Sequence, residues 1–92
     1  MSIRFEWDPK KAISNLKKHG VGFGEAATVF SDTLSITISD PDHSFLEERF
    51  LTIGRSIAGR LLVVAHSDRG ECTRIISARE PTKGERRHYE EG

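Results

Sequence analysis

The sequence predicts a single α+β domain over residues 1–92, with an antiparallel sheet of four to five strands, two helices before it and one after it. Three observations carry this expectation. The first thirty residues hold two stretches of helical periodicity, the segment from Thr33 to Arg79 falls into strand-like blocks joined by short turns, and Pro81 is followed by a helix-start signature. Short connections between successive strands fit antiparallel neighbours, because a parallel return needs a long crossover. At 92 residues and 36% apolar content the chain can bury one modest core, with no room for a cofactor domain beside a substrate domain.

Ile3 to Trp7 is the candidate strand that raises the count from four to five. Asp8-Pro9 ends it and starts a helix over 9–19, with Asp at the N-cap and Pro in the first turn. Trp7 and Ala12 are spaced for a hydrophobic staple. Ala12, Ile13 and Leu16 are expected to form the apolar face, with Lys10, Lys11, Lys17 and Lys18 mainly on the others and Gly20 as the stop after His19. Phe23, Ala26, Ala27 and Phe30 recur at i, i+3, i+4 and i+7 and mark a second short helix ending near Ser31-Asp32. Leu34, Ile36 and Ile38 alternate with Thr33, Ser35, Thr37 and Ser39 as a half-buried strand does, and Asp40-Pro41-Asp42-His43 reads as a loop. Phe50–Gly54 is a strand, Ser56–Gly59 a turn, and Leu61–His66 a largely buried strand; Asp68-Arg69-Gly70 turns the chain into a strand over Cys72–Arg79. Thr82 with Glu85 three residues on makes a capping box for a final helix of about 83–90.

Composition narrows the function classes. The single Cys72 forbids an internal disulfide, and no His, Cys and carboxylate cluster has zinc-type spacing, so no metal and no cofactor are expected. The start has no cationic-then-apolar signal pattern, and the longest apolar run, Leu61 to Ala65, is far short of the roughly 20 residues that span a bilayer. A cytoplasmic protein with no membrane partner is the expectation. Formal net charge is zero, but residues 1–48 carry five basic and eight acidic side chains, whereas residues 49–92 carry nine basic, all but Lys83 arginine, and six acidic. Arginine makes two-point contacts with phosphate, so a local phosphate-binding face is expected in preference to a general grip on polyanions, although ion pairs between the halves would give the same count. The last quarter, Arg74 to Tyr89, brings Arg, His and Tyr close together, the side chains that clamp a phosphate, move a proton near neutral pH and stack on a base.

The ordered set Phe5-Glu6-Trp7-Asp8, Lys11, Asn15, Lys18-His19-Gly20, Phe23, Glu25-Ala26, Val29-Phe30, Asp32, Gly54-Arg55-Ser56, Gly59-Arg60, Arg74-Ile75-Ile76-Ser77-Ala78-Arg79, Glu85-Arg86 and Tyr89 resembles the BrnT family of bacterial toxins over nearly the whole chain. The resemblance implies a compact RelE-like fold and a ribonuclease toxin of a type II toxin–antitoxin pair. It implies neutralisation by a BrnA-type antitoxin whose other end carries a ribbon-helix-helix DNA-binding module, with promoter DNA reached only through that antitoxin. RelE-like toxins are commonly basic, whereas this chain is neutral, so an RNA-binding mode built on bulk positive charge does not carry over.

A metal-free ribonuclease must deprotonate the 2′-hydroxyl, protonate the leaving 5′-oxygen and stabilise a phosphorane with extra negative charge. Arg79, at a strand end just before Pro81, is the first candidate for the last task; the alternative is an ion pair with Glu80, Glu85 or a carboxylate of the N-terminal half. His19 and His88 are the candidates for proton transfer, and Tyr89 for catalysis or base stacking, against a helix-end histidine favoured by the dipole and a tyrosine that packs a helix. Arg55, Arg60, Arg74, Arg86 and Lys18 are the candidate RNA contacts, with Arg74 ranked below Arg79 because an odd spacing puts the two on opposite faces unless a bulge intervenes. An acidic or mixed antitoxin segment is expected over the face with Arg55, Arg60, Arg79 and Arg86. His66 reads as a core histidine, His43 belongs to an acidic loop, and Gly20-Val21-Gly22-Phe23-Gly24 reads as a helix–helix turn because it lacks the lysine and strand of a phosphate loop. The alternative from another class is a noncatalytic antitoxin-binding scaffold and co-repressor.

Overall fold

The computed structural model describes residues 4–43 and 47–92. Five strands form one sheet in the order β1-β5-β4-β3-β2, where β1 is Arg4–Glu6, β2 Ile36–Ser39, β3 Arg49–Arg55, β4 Leu61–Arg69 and β5 Cys72–Arg79. Helices α1 (Pro9–His19) and α2 (Phe23–Thr28), continued by a 3-10 turn over Val29–Ser31, cover one face. There Val21, Phe23, Ala26 and Val29 meet Leu62, Val64, Ile75 and Ala78. Helix α3 (Lys83–Glu91) covers part of the other face, where Tyr89 packs on Ile53, Leu61 and Val63. No helix among the described residues is long and apolar enough to cross a membrane.

β2 to β5 run antiparallel as the short turns require, but the fifth strand does not: β1 pairs with β5 in parallel, Arg4 opposite Cys72 and Glu6 opposite Arg74. The short-connection argument holds only for sequence neighbours, and these two strands are separated by the rest of the domain. Ile3, expected to open this strand, lies outside the described residues. β2 begins at Ile36, three residues later than the alternation indicated, because the Asp32 carboxylate accepts from Leu34 N–H at 2.9 Å and its carbonyl accepts from Ser35 N–H at 3.0 Å, closing a turn. The Asp40–His43 loop holds a short 3-10 turn over Pro41–His43.

α1 is rotated from the expected orientation. Ala12 is half-buried, but Ile13 and Leu16 are 60% and 55% exposed, and the buried residue of the helix is Asn15, 7% exposed. β1 pairs with β5 only as far as Arg74, so the outer edge of β5 has no strand beside Ala78. The Asn15 amide takes that place: Nδ2 donates to Ala78 O at 2.8 Å and Val21 O at 2.9 Å, and Oδ1 accepts from Ala78 N–H at 3.1 Å. A carboxamide offers the same donor and acceptor as a peptide, and a buried strand edge must be satisfied. Hydrogen bonding, not apolar periodicity, sets which side of α1 faces inward.

A bulge decides the faces of β5. Ala65 is opposite Ser77 but His66 is opposite Ile75, so Ile76 is the extra residue. Arg79 and Arg74 are opposite Val63 and Ser67 of β4, an even spacing, and therefore share the α3-side face despite the odd number between them. The two positions are four β4 residues apart, roughly 13 Å at about 3.3 Å per residue.

The helix termini follow their signals. Asp8 Oδ1 caps α1 through Lys10 N–H at 2.8 Å, Gly20 ends it at φ 71°, and both halves of the Thr82/Glu85 capping box are formed. Gly54 lets β3 lie against the 3-10 turn; a Cβ there would come within 2.9 Å of Val29 Cγ1 and 3.0 Å of Ser35 Cβ. His66 is a core residue: Nε2 is 2.7 Å from Thr52 Oγ1, the ring packs edge-on against Phe30 and stacks on Phe50, and burial pushes its pKa down. Nδ1 is buried without a hydrogen-bond partner among the described residues, which favours Nε2–H donating to Thr52 over a buried, orphaned Nδ1–H.

Candidate active site

The end of β3, the turn into β4 and the end of β5 meet at one edge of the sheet, since Arg55 is opposite Leu61 and Val63 opposite Arg79. The same edge receives the C-terminus of α1, where Arg60 Nη2 donates to Gly20 O at 3.1 Å. Arg55, Arg60, Arg79, Tyr89 and His19 thus come from five elements or turns to one end of the domain.

Arg79 is held by Glu85 through two parallel bonds, Nη1 to Oε1 at 2.7 Å and Nη2 to Oε2 at 2.9 Å, and Nη1 also donates to Glu80 O at 3.2 Å. Its head does not project freely from the strand end; the ion-pair alternative is realised. The pairing uses the guanidinium end-on. The Nε hydrogen and the second Nη2 hydrogen form another fork on its side, and the side chain is 35% exposed. Glu85 belongs at once to this pair and to the capping box, accepting from Thr82 N–H at 2.9 Å, so α3 and the arginine are positioned together.

The Arg79 guanidinium, with the Thr82 bonds, holds the Glu85 carboxyl well below its ordinary 4.5, at about 2. A depressed acid stabilises the fold above its unfolded pKa and stops doing so as pH falls through the folded one. The domain should therefore lose about 1–2 kcal/mol between pH 4.5 and 2 from this group, after discounting for the pair's partial exposure. Chemical denaturation across that range should show the loss in wild type and a flatter profile in Glu85→Gln; identical profiles would remove the pair from the acid transition.

Arg60 forms a second fork, Nε to Glu25 Oε2 at 3.0 Å and Nη2 to Oε1 at 2.6 Å, and Ser56 Oγ donates to the same carboxylate at 2.6 Å. The Arg60 and Ser56 hydrogen bonds push the Glu25 pKa down. Arg55 differs: its guanidinium lies 5.9 Å from the Tyr89 ring centroid, bonds Gly59 O at 3.2 Å and has no carboxylate within 4.0 Å among the described residues. The Tyr89 hydroxyl donates to Asp32 Oδ2 at 2.6 Å, and the same oxygen accepts Arg55 N–H at 2.8 Å. The Asp32 carboxylate pushes the Tyr89 pKa up, while the tyrosine and Arg55 N–H push that of Asp32 down. Tyr89 is accordingly a protonated donor that fixes α3 to the sheet and offers its ring beneath Arg55. An open cleft of about 330 Å³ adjoins them, lined by Thr28, Ser31, Asp32, Arg55, Ser56 and Ile57.

His19 is half-buried at the end of α1, one turn beyond Asn15 and so on the side of the helix that meets Ala78. Lys18 is exposed beside it. Arg74 is not at this edge: it pairs with Glu6 at 2.8 Å near β1. Arg86 and His88 are exposed on α3, Arg86 4.0 Å from Glu90 and His88 in a shallow groove with Gly84, Arg87, Glu91 and Gly92. Among the described residues no group of three or more His, Cys, Asp or Glu is placed to hold a metal ion. Glu25 and Asp32 were not singled out as site residues from sequence; their partners are 35 and 57 residues away, and no local spacing signals that.

A family profile described as the ribonuclease toxin BrnT of type II toxin–antitoxin systems matches residues 7–85. In structure the chain is similar to the crystal structure of the Brucella abortus ribonuclease toxin BrnT, with a TM-score of 0.64 and 21% identity, over 89% of this chain and all of that one. No curated protein matches the sequence.

Proposed function

The chain belongs to the BrnT family of ribonuclease toxins of type II toxin–antitoxin systems, and from that premise we propose that it cleaves RNA without a metal ion, by attack of a 2′-hydroxyl on the neighbouring phosphodiester. The observation that carries this reading is the doubly forked Arg79. Glu85 grips the end of the guanidinium, and the side fork of Nε and Nη2 offers two parallel donors to the non-bridging oxygens of the phosphorane. A preorganised cation of this kind needs no rearrangement as charge develops.

In the proposed step the 2′-oxygen bonds to phosphorus as its proton passes to a base, and the bond to the 5′-oxygen breaks as that oxygen gains a proton. The products are a 2′,3′-cyclic phosphate and a 5′-hydroxyl. His19, at the same edge as Arg79, is the first candidate for proton transfer; His88, on the outer side of α3, is the second. Arg55 and Arg60 would take neighbouring phosphates, with Arg55 the more available because Arg60 is committed to Glu25. Lys18 extends that row, and Arg74 and Arg86 would meet the RNA farther along. Tyr89 serves by stacking and by holding α3, not as a base, because its proton is bound to Asp32.

We further propose that the toxin acts in the cytoplasm, is neutralised by a BrnA-type antitoxin with a ribbon-helix-helix module, and reaches promoter DNA only through it. A noncatalytic scaffold is the competing reading, favoured by the ion pairing of both Arg60 and Arg79. Expression without antitoxin should arrest growth, and the purified toxin should degrade RNA in the presence of a chelator. RNA left intact in both settings would favour the scaffold.

A further inference from the structure

α1 presents a face that the folded domain does not use. The exposed Ile13 and Leu16 lie one turn apart on it, and Lys10 and Lys17 border Ile13 at three residues before and four after. The helix contains no acidic residue, and none of its four lysines has a carboxylate within 4.0 Å among the described residues. Most of the arginines are treated differently by the fold: Arg60, Arg74 and Arg79 are each answered internally, by Glu25, Glu6 and Glu85, and Arg55 is the exception. Among the described residues the cations left without a carboxylate partner are Arg55, Lys83 and the four lysines of α1, and only the α1 lysines lie beside two uncovered aliphatic side chains.

That combination fits a protein segment better than RNA. A sugar–phosphate backbone gains nothing from Ile13 and Leu16, and RNA recognition draws on arginine forks and stacking rings, which this face lacks. An amphipathic helix covers such aliphatics with its own apolar side chains. We propose that the Lys10–Ile13–Leu16–Lys17 face of α1 docks an acidic amphipathic segment of the antitoxin, whose apolar residues cover Ile13 and Leu16 and whose carboxylates meet the two lysines. Charge complementarity selects this occupant over a second copy of the chain, because α1 against α1 would set lysine against lysine. Docking here is separate from the arginine edge and leaves the Glu25 and Glu85 pairs intact.

The test uses the full toxin and its cognate antitoxin, purified from the adjacent reading frame, with binding measured by calorimetric titration. Two double variants are compared with wild type: Ile13→Glu with Leu16→Glu, and Lys10→Glu with Lys17→Glu. All four positions are exposed and Glu is a good helix former, so free-toxin melting should not change. The apolar pair should weaken binding by about a hundredfold or more, as loss of central anchors does. The lysine pair should weaken it by about tenfold, with a reduced dependence on salt. RNA cleavage by the free toxin should stay at the wild-type level in both. Antitoxin affinity within about twofold of wild type in the apolar variant would overturn the proposal; so would retained binding with lost cleavage, which would assign α1 to RNA. Because binding is read separately from cleavage, a toxin that proves catalytically inert would leave this result interpretable.

Discussion

Arg79→Ala is expected to lower RNA cleavage by about a hundred- to a thousandfold, the usual cost of deleting a preorganised donor to a developing oxyanion. The substitution also touches the fold. Glu85, 22% exposed beside the arginine, loses both guanidinium bonds, so a loss of about 1–2 kcal/mol is expected, more than the roughly 0.5 kcal/mol of a simple surface change. That stability loss corresponds to about 4–16 °C in melting temperature for a domain of this size. Activity assayed well below the transition therefore separates the two effects. Arg79→Lys keeps the charge but cannot bridge Glu85 and phosphate with two forks, so it should rescue only partly. Full cleavage by Arg79→Ala would remove this residue from the chemistry. Loss of activity only at temperatures where the variant is unfolded would make its role structural.

Asn15→Ala is expected to have the largest effect on stability. It removes three hydrogen bonds and leaves Ala78 N–H, Ala78 O and Val21 O facing a buried gap. Unsatisfied buried groups cost about 1–3 kcal/mol each, and partial entry of water offsets some of that, so about 3 kcal/mol overall is a reasonable expectation. The melting temperature should fall by about 12 °C or more. Asn15→Asp keeps one acceptor, loses both donors and places a carboxylate beside two carbonyl oxygens, so it should do no better. A fall of less than about 4 °C in Asn15→Ala would mean that the edge of β5 is satisfied without this amide.

These two residues mark the limits of the sequence reading. The strands of the meander, the αL stop at Gly20 and the capping box at Thr82 and Glu85 were legible because periodicity, glycine and short spacings are local signals. The inward face of α1 was not, because Asn15 is drawn in by a partner 63 residues away and apolar counting then favours Ile13 and Leu16. The shared face of Arg74 and Arg79 was hidden by a bulge that no turn residue announces. The antiparallel direction expected for β1 was not met, because its partner is the last strand and the short-connection argument does not reach it. At the candidate site, the residue types were evident from the last quarter of the chain and Glu85 was among the alternatives for Arg79, but the long-range pairings were not evident. Arg79 with Glu85 is a contact six residues apart that the capping spacing already contains, whereas Arg60 with Glu25 and Tyr89 with Asp32 depend on the completed fold.

Cleavage of RNA at this edge, by 2′-hydroxyl attack and through the protein's own side chains, leaves a chemical record on the products. The most direct measurement is end-group analysis of a defined single-stranded RNA after incubation with the purified free toxin in chelator. The expected fragments end in a 2′,3′-cyclic phosphate or the 3′-phosphate derived from it, and the downstream fragments begin with a 5′-hydroxyl and are labelled directly by polynucleotide kinase. Fragments with 5′-phosphate and 3′-hydroxyl ends, or RNA that remains whole until a divalent cation is supplied, would contradict this chemistry.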